Sequence, residues 1–93
     1  MKKVTYFHLD TCPYCRQADR VIAELIAEHP DWAAVEFEKI DEYEHPEIAE
    51  RYDYYANPSM FLGDEKLYES HLFETEAECR RHVEEVFRRA LAD

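Results

Sequence analysis

The stretch KVTYFHLDTCPYC, residues 3–15, joins a run of strand-forming residues to a closely spaced pair of cysteines. The β-branched and aromatic side chains between Lys3 and His8 predict a short strand. Pro13 suits the first turn of a helix, and apolar residues then recur at helical spacing as far as Glu28. The cysteine pair is therefore predicted to lie where a strand passes into a helix.

The phase of this helix separates the two sulfur atoms. Cys15 shares an apolar face with Ala18 and Leu25, so its side chain should point toward the core. Cys12 precedes the helix and should be exposed, close to unpaired backbone N–H groups and the positive end of the helix dipole, which both favour a thiolate. Cys12 is therefore expected to attack disulfides, and Cys15 to resolve the mixed disulfide that forms.

The rest of the chain predicts three further strands and two further helices. The strands are expected at 35–40, 59–62 and 66–70, and the helices at 46–52 and beyond a capping box formed by Thr75 and Glu78. The element order βαβαββα predicts a parallel pair of strands around the first helix and an antiparallel hairpin near the end. We therefore expect an α/β fold, with a four-stranded mixed sheet and three helices, in a single domain over residues 1–93.

Acidic residues dominate the charge of the chain. Its 93 residues include 22 Asp and Glu against 11 Lys and Arg, which gives a net charge of −11 with His neutral. Such a field repels phosphate backbones and anionic lipid surfaces, so neither nucleic acid nor a membrane is expected as a partner. No apolar segment is long enough for a membrane span or the core of a signal peptide, so we expect a cytoplasmic monomer.

Three cysteines in a cytoplasmic protein indicate redox chemistry or metal binding rather than structural disulfides. A zinc site would need a second pair of ligands at suitable spacing, but Cys79 is isolated and the histidines are scattered, so no metal is expected. Cys79 lies on the apolar face of the predicted last helix and is expected to be a buried structural thiol.

Several segments resemble a known superfamily. CPYCRQA, residues 12–18, resembles the active site of glutaredoxins and the helix that carries it. Ile40-Asp41, 45–52 and 58–62 resemble the second half of thioredoxins. The resemblance covers residues 3–63 and implies the thioredoxin fold and a thiol–disulfide oxidoreductase activity that serves cell redox homeostasis.

The resemblance also implies which residues form the site. Pro58 would be the family's cis-proline, packed beside the cysteines, and Asn57 would present free backbone N–H and C=O groups to an extended substrate. The amide side chain of Asn57 either bonds the substrate backbone or the sulfur region, or is merely tolerated in the loop. The expected catalytic residues are Cys12 and Cys15, and the expected substrate-binding residues are Pro13, Tyr14, Asn57 and Pro58.

Three positions depart from the families that the chain resembles. Glutaredoxins hold glutathione with a basic residue three positions before the first cysteine and with a Gly-Gly turn before the last helix. Here these positions are Leu9 and the stretch Ser70 to Thr75. Thioredoxins have a buried aspartate on the first strand, at the place that Tyr6 occupies. No cofactor is therefore expected, and the use of glutathione is disfavoured.

The leading hypothesis is a thiol–disulfide oxidoreductase that acts on disulfide-bearing proteins or small thiol substrates through a Cys12–Cys15 couple, which an external reductase recharges. Two alternatives stay open. One is a glutathione-dependent deglutathionylase that uses Cys12 alone. The other is a redox-gated binding module, or a dimer that shares an iron–sulfur cluster through Cys12.

Overall fold

Four strands form a single mixed sheet in the computed structural model, which describes residues 3–92. The strands are Val4–His8 (β1), Phe37–Asp41 (β2), Ser59–Leu62 (β3) and Glu65–Glu69 (β4). The α-helices are Pro13–Glu28 (α1), Pro46–Ala49 (α2) and Glu76–Ala92 (α3), and a 3₁₀-helix spans Pro30–Ala34. The predicted domain also includes residues 1, 2 and 93, which lie outside the described part of the chain.

Strand β1 lies inside the sheet, whose strand order is β2-β1-β3-β4. It pairs in parallel with β2 and antiparallel with β3, and β3 pairs antiparallel with β4. Helix α1 connects the parallel pair, and a short turn connects β3 to β4, where Gly63 has a φ of 62° that glycine adopts without strain. The predicted α/β fold, with a mixed four-stranded sheet and three helices, is confirmed.

The side chains of β1 alternate between two apolar clusters, one on each face of the sheet. Val4 and Tyr6 are fully buried in the main cluster, which also contains side chains of α1 and α3. Phe7 points to the opposite face and belongs to a smaller cluster with Ile40 and Phe61. Strand β1 is therefore covered by an apolar cluster on each face. This packing fixes the direction in which the chain leaves β1 and enters α1.

Helices α1 and α3 pack together in the main cluster. Helix α1 contributes Val21 and Leu25, and α3 contributes Val83 and Phe87, all of them fully buried. Apolar residues three and four positions apart fall on one helical face, which is why each helix presents a continuous stripe to its neighbour. Within residues 3–92, no helix has both the length and the apolarity needed to cross a membrane.

The predicted capping box precedes α3. The Glu78 N–H donates to Thr75 Oγ1 at 3.2 Å, and the Thr75 N–H donates to Glu78 Oε1 at 3.1 Å. Each side chain therefore satisfies a backbone donor that the helix itself leaves free.

The second strand differs from its prediction in two ways. It begins at Phe37 because the Val35 N–H still donates to the Trp32 carbonyl at the end of the 3₁₀-helix, at 3.0 Å. That 3₁₀-helix was not predicted. The alternating pattern of residues 35–40 also predicts a strand with one buried face. This is wrong, because Phe37 packs against the main cluster whereas Ile40 belongs to the smaller one. Strand residues an odd number of positions apart point to opposite faces.

Two other elements have different ends from those predicted. Helix α2 stops at Ala49 because the N–H groups of Arg51 and Tyr52 donate to carbonyls three residues back, as in a turn rather than an α-helix. Strand β4 spans Glu65–Glu69 instead of 66–70, although the Ser70 N–H still donates to the Pro58 carbonyl at 3.0 Å.

Replacing Leu25 by Ala tests the packing of α1 in the main cluster. Because Leu25 is fully buried, Leu25→Ala should lower the free energy of unfolding by about 2–5 kcal/mol, through lost burial and a residual cavity. Leu72→Ala is the matched control, since it removes the same atoms from a side chain that is 71% exposed and should cost less than about 0.5 kcal/mol. Urea unfolding measures both values, and equal losses would contradict the described packing.

Candidate active site

The two cysteines of residues 12–15 differ in exposure as the helical phase predicts. Cys12 is the N-terminal cap of α1, with φ −84° and ψ 120°, and its side chain is partly exposed. Cys15 lies one turn further along and is fully buried. Both are free thiols, and the neighbouring Cys12 contributes to the raised pKa of Cys15. The two thiols are therefore close enough to influence each other, and one of them is accessible.

The hydrogen bonds of the Cys12 sulfur differ from expectation. We expected backbone N–H groups at the start of α1 to donate to it, but its side chain makes no capping hydrogen bond. Instead the thiol donates to the backbone carbonyl of Asn57, with the sulfur 3.6 Å from the oxygen. A protonated thiol is a donor and so selects a carbonyl, whereas N–H groups suit the thiolate.

The Cys15 thiol is held in its protonated form. Burial, with smaller contributions from Cys12 and the Asp19 carboxylate, raises the pKa of Cys15 to about 12, although the Leu9 N–H opposes this shift. The Leu9 N–H donates to the Cys15 sulfur at 3.4 Å. Near neutral pH, Cys15 therefore needs a proton acceptor before it can attack a disulfide.

Asn57 lies beside Cys12, whose thiol donates to its carbonyl, and Pro58 follows Asn57. The Asn57–Pro58 peptide bond is cis, and Pro58 is fully buried. Ser70, just after β4, fixes this segment because its N–H donates to the Pro58 carbonyl and its Oγ donates to the Asn57 carbonyl at 2.7 Å. The expectation of a free Asn57 carbonyl is therefore wrong, since Ser70 and Cys12 both donate to it.

The side chain of Asn57 does not bond the sulfur region. Its Nδ2 donates to Glu42 Oε1 at 2.9 Å, and the Tyr54 hydroxyl donates to the same oxygen at 2.9 Å. Its Oδ1 is buried and has no hydrogen-bond partner among residues 3–92. The amide therefore connects the active-site loop to the segment that follows β2.

Pro13 and Tyr14 form the outer edge of the site. Pro13 is exposed, and Tyr14 is partly exposed. The Phe73 N–H donates to the Tyr14 hydroxyl at 2.7 Å, so the loop before α3 is joined to the cysteine motif. Phe73 has a φ of 65°, a left-handed conformation that is unusual for an aromatic residue. Leu72 and Phe73 are 71% and 81% exposed, so this loop presents apolar side chains next to Tyr14.

A polar cluster lies behind Cys15, at the place where thioredoxins carry a buried aspartate. Tyr6 is fully buried there, and its hydroxyl donates to Asp19 Oδ1 at 2.9 Å and lies 3.3 Å from the Cys15 carbonyl oxygen. His8 Nε2 lies 2.9 Å from Asp19 Oδ2, and Lys39 Nζ lies 3.1 Å from Asp19 Oδ1. The Asp19 carboxylate on α1 therefore lies next to Tyr6, which occupies the position of the strand aspartate of thioredoxins.

Asp19 was not among the predicted site residues. Its side chain is 31% exposed, and partial burial by itself would raise the pKa of its carboxyl. Hydrogen bonds from His8, Tyr6 and Lys39 outweigh burial and hold that pKa below its ordinary value. The sequence contained a signal, because Asp19 follows Cys15 by four positions and so lies on the same side of the helix.

Cys79 is separate from this site. It is fully buried on α3, and burial is the main reason that its pKa is raised to about 11. The Tyr68 hydroxyl lies 3.5 Å from its sulfur. The expected burial of Cys79 is confirmed. Among residues 3–92, no three His, Cys, Asp or Glu side chains are grouped so that they could hold a metal ion.

The chain is similar to a characterised protein over most of its length. It is 38% identical over 61 residues to the thioredoxin of Methanocaldococcus jannaschii, a match that covers 66% of this chain and 69% of that protein. The chain belongs to the thioredoxin family. Membership supports, in general terms, a thiol–disulfide oxidoreductase activity for this chain. No protein-family model matches the sequence.

Solved structures support the thioredoxin fold. A structure described as a malarial protein matches with a TM-score of 0.58 and 14% identity, over 89% of this chain and 93% of that one. The zinc-bound form of human ERp44 matches with a TM-score of 0.57 and 16% identity, over 91% of this chain but 27% of that chain. At these identities the likeness concerns the fold alone.

Alkylation distinguishes the three thiols. In the reduced native protein at neutral pH, iodoacetamide should modify Cys12 at least about 100-fold faster than Cys15 or Cys79, because the latter two are fully buried and their pKa values are raised. Peptide mass spectrometry over time gives the three rates, and urea-unfolded protein, in which all three should react at similar rates, is the control. Modification of Cys15 as fast as Cys12 would contradict the described burial.

Proposed function

We propose that this chain reduces or exchanges disulfides of proteins or small molecules with a Cys12–Cys15 dithiol couple. The observation that carries the proposal is the pairing of a partly exposed thiol at the N-terminal cap of α1 with a fully buried thiol one turn later. A second supporting observation is that the Cys12 thiol donates to the backbone carbonyl of Asn57 in a neighbouring loop. A single thiol without a partner would need an outside thiol for every turnover, whereas this pair completes the exchange itself.

In the first step, the Cys12 thiolate attacks one sulfur of the substrate disulfide. A bond forms between Cys12 and that sulfur, the substrate S–S bond breaks, and the departing sulfur leaves as a thiolate that takes up a proton. The Cys12 sulfur lies 3.6 Å from the backbone carbonyl of Asn57. A substrate segment that approaches Cys12 therefore meets the loop that contains Asn57.

In the second step, Cys15 attacks the Cys12 sulfur of the mixed disulfide. The substrate leaves as its second thiol, a Cys12–Cys15 disulfide forms, and two electrons have passed to the substrate. Cys15 must lose its proton first, and its pKa of about 12 opposes this at neutral pH. We propose that the carboxylate of Asp19, one helical turn beyond Cys15 and hydrogen-bonded to Tyr6, assists this proton transfer. Because its own pKa is lowered, it would hold the proton only while Cys15 attacks.

The proposal requires an external reductant for the Cys12–Cys15 disulfide, either a reductase or a pool of small thiols, but no bound cofactor. Glutathione is disfavoured as the specific reductant. Leu9 provides no positive charge for a carboxylate of that tripeptide, and the loop before α3 contains the buried acid Glu74 where a glycine backbone would be needed. An anionic ligand thus finds no charge-assisted hydrogen bond at either position.

We also propose that the protein acts as a monomer in the cytoplasm, on thiol and disulfide partners rather than on nucleic acid or membranes. The net charge of −11 supports this, because phosphate groups and anionic lipids would be repelled.

Cysteine variants test the dithiol mechanism with a small protein disulfide as the substrate. Cys12→Ser should slow reduction by on the order of 1,000-fold or more, because the attacking sulfur is lost. Cys15→Ser should accumulate a mixed disulfide through Cys12, which intact-protein mass spectrometry detects. Cys79→Ala is the matched control and should retain the activity of the unmodified chain. Full activity of Cys12→Ser would refute the mechanism.

Asp19→Asn tests the proton acceptor. With the reagent 5,5′-dithiobis(2-nitrobenzoate), attack by Cys12 and resolution by Cys15 each release one chromophore, so stopped-flow absorbance separates the two steps. We expect Asp19→Asn to slow the second release by about 10-fold or more near neutral pH, with a smaller difference as the pH rises and hydroxide replaces the acceptor. Asp31→Asn, an exposed carboxylate on the 3₁₀-helix, is the control. An unchanged second release at neutral pH would exclude the assigned role.

A further inference from the structure

A cavity of about 390 Å³ adjoins the candidate active site, and the dithiol mechanism does not use it. The residues of its wall that carry the argument are Glu42, Glu50, Tyr52, Tyr54, Tyr55 and Asn57. Asn57 connects the cavity to the cysteines, because its backbone carbonyl is the acceptor for the Cys12 thiol. A ligand group in the cavity is therefore separated from the Cys12 sulfur by a single residue, Asn57.

The two carboxylates of the wall carry charge that no neighbour neutralises. Within residues 3–92, neither Glu42 nor Glu50 forms an ion pair with a basic side chain. Glu42 is held in position because its Oε1 accepts hydrogen bonds from the Tyr54 hydroxyl and Asn57 Nδ2, each at 2.9 Å. A carboxylate that is fixed by neutral donors and lacks a cation favours a positively charged ligand.

Tyrosine rings provide the rest of the wall. Tyr54 stacks on Phe7, with ring centroids 4.6 Å apart, while Tyr55 is 90% exposed. Aromatic rings attract cations through their quadrupole, and they also pack against the alkyl part of a long side chain. The tyrosine rings and glutamate carboxylates of the wall together therefore favour a positively charged group at the end of an alkyl chain.

The surrounding charge disfavours anionic ligands. Residues 41–53 contain six Asp or Glu and one Lys or Arg, Arg51. Arg51 lines a separate cavity of about 280 Å³ rather than this one. Phosphates and carboxylates would be repelled here, whereas a basic side chain would be attracted.

We infer that this cavity binds a Lys or Arg side chain of a polypeptide substrate, close in sequence to the cysteine whose disulfide Cys12 attacks. The inference rests on the proposed function and names its substrate class. Because Asn57 both contacts Cys12 and lines the cavity, a side chain a few residues from the substrate cysteine can reach it. The bound residue holds the disulfide near the Cys12 sulfur before the attack.

Matched peptides test the inference with the intact, reduced protein. Each peptide carries one cysteine as a mixed disulfide with thiopyridine, whose release is coloured. In one series an Arg stands one, two or three residues before or after the cysteine, and in the other series citrulline, which has nearly the same shape without the charge, replaces it. The second-order rate constant should be about five- to tenfold higher for Arg at one or more positions, and salt should weaken this preference.

Substitutions in the cavity wall test whether Glu42 and Glu50 cause the preference for Arg. Glu50→Gln removes a charge from a side chain without an ion pair, and Glu42→Gln keeps an oxygen that can accept from Tyr54 and Asn57. Each should lower the ratio of the Arg to the citrulline rate by about threefold or more. Glu44→Gln makes the same charge change at an exposed neighbour outside the wall and should leave the ratio unchanged.

Two results would overturn the inference while the proposed function stands. One is a ratio within about twofold at every position of the peptide series. The other is an equal loss of preference in Glu44→Gln and in the wall variants, because the general acidic field would then be its cause. If no peptide of either series is reduced, the proposed function itself fails, and the inference fails with it.

Discussion

The turn from β1 into α1 separates the two sulfur atoms, and the rest of the site depends on that separation. Strand β1 lies inside the sheet with both faces covered, so the direction of the chain at His8 is fixed. Pro13 then begins the helix, which leaves Cys12 outside its first turn and places Cys15 against the core. The difference between the two thiols therefore depends on the residue at which α1 begins, since Cys12 precedes the helix and Cys15 lies within it.

Local sequence patterns were sufficient for this part of the structure. The spacing of Cys15, Ala18 and Leu25 predicts one buried helical face, and all three are fully buried. The capping box of Thr75 and Glu78 is likewise a pattern of neighbouring residues and forms as predicted. Such features depend on residues within a turn or two of one another, whose relative positions follow from helical geometry alone.

What the sequence could not supply are contacts between residues that lie far apart along the chain. The cluster around Asp19 joins β1, α1 and β2 through Tyr6, His8 and Lys39, and no local pattern specifies which side chains meet there. The sequence shows that Tyr6 stands where thioredoxins have an aspartate, but it does not show that the Asp19 carboxylate lies next to Tyr6. A phenol cannot accept a proton at neutral pH, so the neighbouring carboxylate from α1 supplies the ionised group.

The distribution of charge carries more information than its total. On the helical side of the sheet, acids of α1 and α3 form ion pairs, since Arg80 pairs with Glu24, Glu28 and Glu84. Near the end of β2, by contrast, the cavity-wall residues Glu42 and Glu50 form no ion pair within residues 3–92. Solubility would be served equally by unpaired carboxylates anywhere on the surface. The position of Glu42 and Glu50, in a cavity wall that includes Asn57, is instead the feature on which the proposed selection of a basic substrate side chain depends.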